Sequence, residues 1–198
     1  MTTPPYWESA KKHLSANDAV MNAIIKNYKG ESLKKITDDV FYSLARVIVG
    51  QQISVKAADT IWARFVKLSK VSAPKTLKLK DEDLRKIGFS AQKVKYIKSV
   101  AEFCLQHNGH WHNDDKEVIA ELCKINGVGR WTAQMFLIFF LQRPNVLPLA
   151  DLGLLKAFEK SYKKDRKDII KHSKKWHPYK SVATWYLWRS LDPVPVEY

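Results

Sequence analysis

Three features of the sequence predict an all-α fold. Apolar residues recur at three- and four-residue spacing through most of the chain, and no segment alternates apolar and polar residues convincingly with period two. Residues that cap or break helices separate the periodic runs. No internal repeat or low-complexity segment is visible, and no apolar run approaches the roughly 18 residues that a membrane span needs. At 198 residues the chain fits one compact unit or two intimately packed lobes.

Taken in order, Pro4 and Pro5 start a first helix over residues 6–14. Asn17-Asp18 can cap a second, in which Val20, Met21, Ile24 and Ile25 share a face, and Lys29-Gly30 ends it. Asp38 and Asp39 open a third, whose Phe41, Leu44, Ala45, Val47 and Ile48 make a wide apolar face. Gly50-Gln51-Gln52-Ile53-Ser54 breaks the pattern, and Ser54 can cap a helix over residues 55–67. Two adjacent amides at a helix junction suit a core poorly, and the plain reading of Gln52 is an exposed turn amide. Residues 72–74 form a linker, residues 81–87 a short helix, and Gly88-Phe89-Ser90 a stop and a cap. Helix resumes over residues 91–105 with Lys93, Lys95 and Lys98 on its polar side, facing solvent or phosphate. Cys104, His107, His110 and His112 resemble metal ligands by type, but their spacing matches no standard zinc site.

Residues 122–151 organise the chain. Leu122 and Ile125 suit the last turn of a packed helix, Asn126-Gly127-Val128-Gly129 breaks it, and a new helix begins around Trp131-Thr132. Two glycines around one small apolar residue allow positive φ and a close approach of backbone to another surface. A tight turn that opens onto a helix N-terminus presents backbone N–H groups and partial positive charge, which suits phosphate. Residues 132–141 are apolar on nearly every side and should run through the interior. After Pro144 and Pro148 comes Asp151, an acid between apolar runs. Such a carboxylate is costly to bury without partners or a chemical role. Its plainer reading is a helix cap. A helix over residues 154–162, a basic segment to Lys175 and an aromatic helix over residues 179–188 complete the reading, with Pro193 and Pro195 preventing continuation.

The ordered set Leu122-x-x-Ile125-x-Gly127-Val128-Gly129-x-x-Thr132-Ala133, followed by Asp151, resembles the helix-hairpin-helix DNA glycosylases, and within them the 3-methyladenine DNA glycosylase II type. Gly50-Gln51-Gln52-Ile53-Ser54 upstream and Trp176-x-Pro178-Tyr179-x-Ser181-x-Ala183 with Trp188 downstream extend the similarity over about residues 35 to 192. The resemblance implies a helical bundle in two closely packed lobes, residues 1–35 with 150–198 and residues 36–149, with the active site in the cleft between them. It implies DNA contacts by Gln51, Gln52, Gly127, Val128, Gly129 and Thr132. Gln52 stands where relatives place the side chain that fills the gap left by a flipped nucleotide. It also implies that the carbonyls of Cys123, Ile125 and Val128 can hold a structural Na+ or K+ that bridges to phosphate. No other cofactor is implied.

Asp151 is the catalytic candidate. Breaking an N-glycosidic bond builds positive charge on the sugar, which an ionised carboxylate stabilises. Bifunctional relatives carry a lysine two residues after the second hairpin glycine; here that residue is Trp131, which cannot form a Schiff base. A monofunctional hydrolase that excises alkylated purines in base excision repair, without lyase activity, is therefore expected. Trp131, Met135 and Trp188 are the base-pocket candidates, the two indoles stacking on a cationic purine and Met135 standing where a relative offers an aromatic. Each tryptophan also reads as core packing. The competing class is a non-catalytic hairpin module that binds DNA or senses lesions.

Composition agrees with a polyanionic partner. Lys and Arg number 34 against 20 acids, a net charge of +14, and each neutralised phosphate releases counterions. Two cysteines suit a reducing compartment and exclude a four-cysteine iron–sulfur cluster. Met1-Thr2-Thr3-Pro4-Pro5 lacks a secretion pattern. The expectation is a cytoplasmic monomer, nucleoid-associated in a bacterium, acting on damaged double-stranded DNA without membrane contact.

Overall fold

The computed structural model describes residues 2–191. Twelve α-helices fill this range: α1 (Trp7–Asn17), α2 (Ala19–Asn27), α3 (Val40–Gly50), α4 (Val55–Ser69), α5 (Ala73–Lys78), α6 (Asp81–Lys86), α7 (Ala91–Gln106), α8 (Asp115–Leu122), α9 (Arg130–Phe139), α10 (Leu152–Tyr162), α11 (Ile169–His172) and α12 (Lys180–Leu191). Extended pairing among the described residues is limited to an isolated bridge between Thr2 and Lys35. The all-α expectation holds. Among the described residues no helix is long and apolar enough to cross a membrane.

The expected caps form. Asp39 accepts from the Tyr42 N–H, Ser54 from Ala57 and Ser90 from Lys93, each satisfying a donor that the helix cannot. Two stretches differ from the sequence reading. Residues 72–74 are not a linker: Ala73 and Pro74 begin α5, where proline's missing N–H is harmless. The basic segment before Lys175 is not featureless but turns through 3-10 helix Arg166–Asp168, α11 and 3-10 helix Ser173–Trp176. Ile125 also lies beyond its helix, since α8 stops at Leu122. Pro193 and Pro195 lie outside the described residues.

By packing, the described residues divide into one unit formed by residues 2–36 and 137–191 and another formed by residues 37–136. The sequence reading drew the second boundary near residue 150; packing draws it within α9. That helix is buried from Thr132 onward, including polar Gln134, as its all-round apolar character demands.

In the first unit a single carboxylate joins distant segments. Asp18 is 5% exposed. Its Oδ1 caps α2 by accepting the Val20 and Met21 N–H groups, each at 3.1 Å. Its Oδ2 accepts the Tyr162 hydroxyl at 2.9 Å, the His172 Nε2–H at 2.8 Å and the Trp176 Nε1–H at 3.0 Å. Burial alone would push this carboxyl up, but the hydrogen bonds from Trp176, Met21, His172 and Tyr162 outweigh it and hold Asp18 below the ordinary carboxylate value. Elsewhere in this unit the nearly buried Arg189 donates Nε–H to Glu31 Oε2 at 2.7 Å and covers the Tyr28 ring. Ser181 ties the start of α12 to the loop between α9 and α10, donating its hydroxyl to the Arg143 carbonyl at 2.6 Å and accepting the Val146 N–H at 2.9 Å.

The Asp18 cluster makes acid stability depend on this group. A depressed folded pKa adds stability above the unfolded value of about 3.9 that disappears as pH falls through the folded value. Asp18→Ala should cost roughly 3 kcal/mol at pH 7, because the buried His172 and Trp176 and the half-buried Tyr162 lose their acceptor. Denaturant melts across pH should show the gap to wild type narrowing below about pH 4. A gap that stays constant with pH would remove Asp18 from the acid response.

Candidate active site

The hairpin is built from the second unit's residues. Ile125 N–H bonds to the Leu122 carbonyl and Val128 N–H to the Ile125 carbonyl, each at 3.0 Å, which winds the chain into a tight turn before α9. Gly127 has φ +92°, and a Cβ added there would lie 2.1 Å from the Tyr96 ring of α7. A side chain at Gly127 is therefore barred twice, by backbone conformation and by space. Gly129 differs from the sequence expectation: its φ lies outside the left-handed region, and a Cβ there would meet nothing within 4 Å. The fold does not itself require that glycine; open surface surrounds it. The Ile125 carbonyl retains a second lone pair beyond its bond to Val128.

Gln51 and Gln52 separate in role. Gln51 Nε2–H donates to the Gly127 carbonyl at 3.2 Å and to the Thr132 hydroxyl oxygen at 3.0 Å. It thus fastens the turn after α3 to both sides of the hairpin, and Thr132 is 2% exposed. Gln52 is exposed, with φ +59°. A non-glycine residue in that region costs backbone energy and marks a turn held by its surroundings. Part of that hold comes from Lys93, whose Nζ donates to the Val49 and Gln51 carbonyls at 2.7 and 2.8 Å. Burial pulls the Lys93 ammonium below its usual value, yet the two carbonyls at the end of α3 receive its charge. Lys93 therefore braces the α3–α4 turn, and Lys98 pairs with Asp81. The sequence reading saw these two only as solvent- or phosphate-facing. Lys93 and Tyr96 carried no sequence signal beyond helical spacing.

Trp131 is partly exposed in the first turn of α9, while Met135 one turn on is fully buried. Met135 thus presents no surface in this structure and packs as core, where the sequence reading had it line the base pocket.

The first unit holds Asp151 at the N-cap of α10. Oδ1 accepts the Leu154 N–H at 2.6 Å and the Trp188 Nε1–H at 2.9 Å. The Trp188 ring is 6% exposed and stacks on Phe139, centroids 5.9 Å apart and planes 13° apart. The indole therefore orients the carboxylate as well as filling space. Gly153 makes this possible: a Cβ there would sit 3.1 Å from Asp151 Oδ1 and 3.5 to 3.6 Å from the indole. Sequence reasoning passed over Gly153, though its place two residues after the acid was the available signal.

The histidines near residue 110 form a different feature. His107 stacks on Trp111 at 4.1 Å and lies 3.5 Å from Glu121, in an open cavity that Phe103 also lines. No group of three or more metal-ligating side chains occurs among the described residues. Burial, with the nearby Asp39 charge, pushes the Cys104 thiol up to about 12, so it stays protonated and is a poor ligand. This cavity contains none of the residues assigned above.

Residues 45–178 match the sequence pattern of the HhH-GPD superfamily of base excision DNA repair proteins. DNA-3-methyladenine glycosylase 1 of Schizosaccharomyces pombe is 31% identical over 198 residues, which cover 91% of this chain and 86% of that protein. Among solved structures, the S. pombe 3-methyladenine DNA glycosylase Mag1 in complex with abasic DNA superposes with TM-score 0.79 at 30% identity, covering 92% of this chain and 96% of that one. A DNA-3-methyladenine glycosidase from Bacillus halodurans gives TM-score 0.77 at 34% identity, covering 91% and 88%.

The two hairpin glycines should separate experimentally. Gly127→Ala should lower stability by roughly 2–4 kcal/mol through strained φ and the collision with Tyr96. Gly129→Ala should unfold within about 0.5 kcal/mol of wild type. Urea melts of the two variants decide the matter; equal losses would mean that Gly129 is packed as tightly as Gly127.

Proposed function

The chain belongs to the HhH-GPD superfamily of base excision DNA repair proteins, and on that premise we propose that it is a monofunctional DNA glycosylase. It releases alkylated purines of the 3-methyladenine and 7-methylguanine type by hydrolysing the N-glycosidic bond. The observation that carries this reading is the Asp151 carboxylate held at the start of α10 by the Leu154 N–H and the Trp188 indole N–H. Relatives of matching length that are named 3-methyladenine glycosylases support the substrate class.

As the bond breaks, the sugar gains positive charge and the base leaves with the electron pair. Asp151 stabilises the oxocarbenium-like sugar, and water completes the reaction at the anomeric carbon. Two hydrogen bonds fix the carboxylate beforehand, so little reorganisation accompanies charge development. An alkylated purine already carries positive charge and departs readily, so a strong general acid is unnecessary. Trp131 offers an aromatic face for such a base, worth about 0.5 to 2 kcal/mol by cation–π attraction. It offers no amine, so the product is an abasic site in an unbroken strand.

Binding is divided among other residues. The Gly127-Val128-Gly129 turn and the first-turn N–H groups of α9 grip a phosphate. The exposed amide of Gln52 fills the gap in the duplex when the damaged nucleotide turns out. A sodium or potassium ion on the Cys123, Ile125 and Val128 carbonyls would strengthen the phosphate grip.

Chromatography of bases freed from methylated DNA tests the reaction. Asp151→Asn should lower base release by roughly a hundredfold or more while duplex affinity is retained, and wild type should leave strands un-nicked. Absence of release by wild type would instead favour a non-catalytic lesion-binding module. Trp188→Phe keeps the ring on Phe139 but deletes the donor to Asp151. It should slow release by about ten- to a hundredfold, the worth of a hydrogen bond to a charged group, with an unchanged melting temperature. An unaltered rate would make that hydrogen bond incidental.

A further inference from the structure

Half of the chain's net charge sits in a short stretch that contains none of the residues assigned to DNA binding above. Residues 160–180 hold nine Lys or Arg against Asp165 and Asp168, a surplus of seven out of +14. The structure shows how they are displayed. Ile169, His172, Ser173 and Trp176 are buried at helical spacing, with His172 and Trp176 bonded to Asp18. Lys167, Lys171, Lys174 and Lys175 fall at positions between them and are all exposed, as are Lys163, Lys164 and Arg166. Arg166 pairs with Glu159; among the described residues no ion pair engages those six lysines. Asp18 thus anchors one side of the segment while the other side is an unneutralised row of ammonium groups.

Like charges concentrated in this way repel one another, and an ordinary soluble surface intersperses both signs. A rigid concentration of one sign is favourable where a polyanion neutralises it. We propose that residues 163–175 form a second DNA-contacting surface that binds duplex phosphates without regard to sequence or damage. The helical turns from Arg166 to Trp176, mostly 3-10, rise about 15 to 20 Å, and that length of duplex carries roughly nine to twelve phosphates, more than one for each lysine of the row. Lysine suits such a contact, because a flexible point charge follows a phosphate backbone without demanding one geometry. The surface raises affinity for undamaged DNA and so prolongs each search along it, while the hairpin and Asp151 act at the lesion. The proposal rests on the DNA reading above, but not on the chemistry.

The test compares wild type with a variant carrying Lys167→Ala, Lys171→Ala, Lys174→Ala and Lys175→Ala, and with a counterpart carrying arginine at the same four positions. A second removal, Lys163→Ala with Lys164→Ala, lies outside the helical turns. Fluorescence anisotropy on an undamaged duplex is recorded over a range of salt, alongside single-turnover base release from methylated DNA at saturating protein. The fourfold alanine variant should lose about 2 to 4 from the slope of log affinity against log salt and bind at least about tenfold more weakly. The double variant should move the same way by about half as much, the arginine variant should match wild type, and the base-release rate should not change. Wild-type slope and affinity in both alanine variants would overturn the proposal and make the row a solvated face. Equal losses in the arginine variant would overturn it too, because charge would not be the cause. If wild type releases no base, the glycosylase reading fails, while the salt slopes still decide this one.

Discussion

Backbone groups at helix ends have no partner within their own helix, and that constraint accounts for where the residues of the proposed site stand in this all-α chain. Gln51 and Gln52 follow α3, Gly127 to Gly129 precede α9, and Asp151 precedes α10. Each junction leaves donors or acceptors that something else must satisfy. Lys93 covers carbonyls at the end of α3, Gln51 reaches from that turn to the Gly127 carbonyl, and Asp151 takes the Leu154 N–H. A helical protein without sheet edges has few other places where backbone polarity can face a ligand. The first turn of α9 follows an open glycine, and this fits a phosphate as the outside partner.

Asp151 shows that structural and chemical readings of one residue can coexist. From the sequence, capping and catalysis looked like competing explanations. In the structure the acid caps α10, and capping supplies what catalysis needs: a fixed orientation and the positive end of a helix dipole nearby. The Trp188 indole adds a second donor to the same oxygen, and Gly153 leaves it room. Trp188 likewise serves two purposes, since its ring packs on Phe139 while its N–H points at the acid. A residue with a packing role is for that reason not disqualified from the site.

The legible part of the fold was what short-range pattern encodes. Helical spacing, Asp39, Ser54 and Ser90 as caps, and Gly88 as a stop all stand in the structure, because each depends on a few neighbouring residues. The ordered hairpin and Asp151 were legible because loop geometry ties them to particular residue types. What stayed hidden is long-range. Asp18 read as a simple cap, and nothing local indicated that Tyr162, His172 and Trp176 would converge on its other oxygen. Gly127 read as a turn whose backbone approaches another surface closely, but nothing local indicated that the surface would be the ring of Tyr96 on another helix. Met135 looked like a pocket residue by its position one turn beyond Trp131, but burial follows from all sides of α9, not one. The stretch after Tyr162 read only as a basic segment to Lys175 because lysines obscured the buried Ile169, His172 and Trp176 stripe beneath them.

Charge and geometry divide the work unequally. Phosphate attraction falls with salt and tolerates displacement, so lysines on flexible stems can supply it from an exposed segment. Stabilising a sugar cation demands a carboxylate fixed to within a fraction of an ångström, since misplacement of about 1 Å can cost a hundredfold in rate. The structure places its rigid devices accordingly: two donors on Asp151, two carbonyls on Lys93 and a glycine where the Tyr96 ring leaves no room. The exposed lysines of residues 163–175 have no comparable restraint at their charged ends. Their backbone is what Asp18 holds still, and for a contact that reads only the presence of phosphate, a fixed backbone with mobile charges is sufficient.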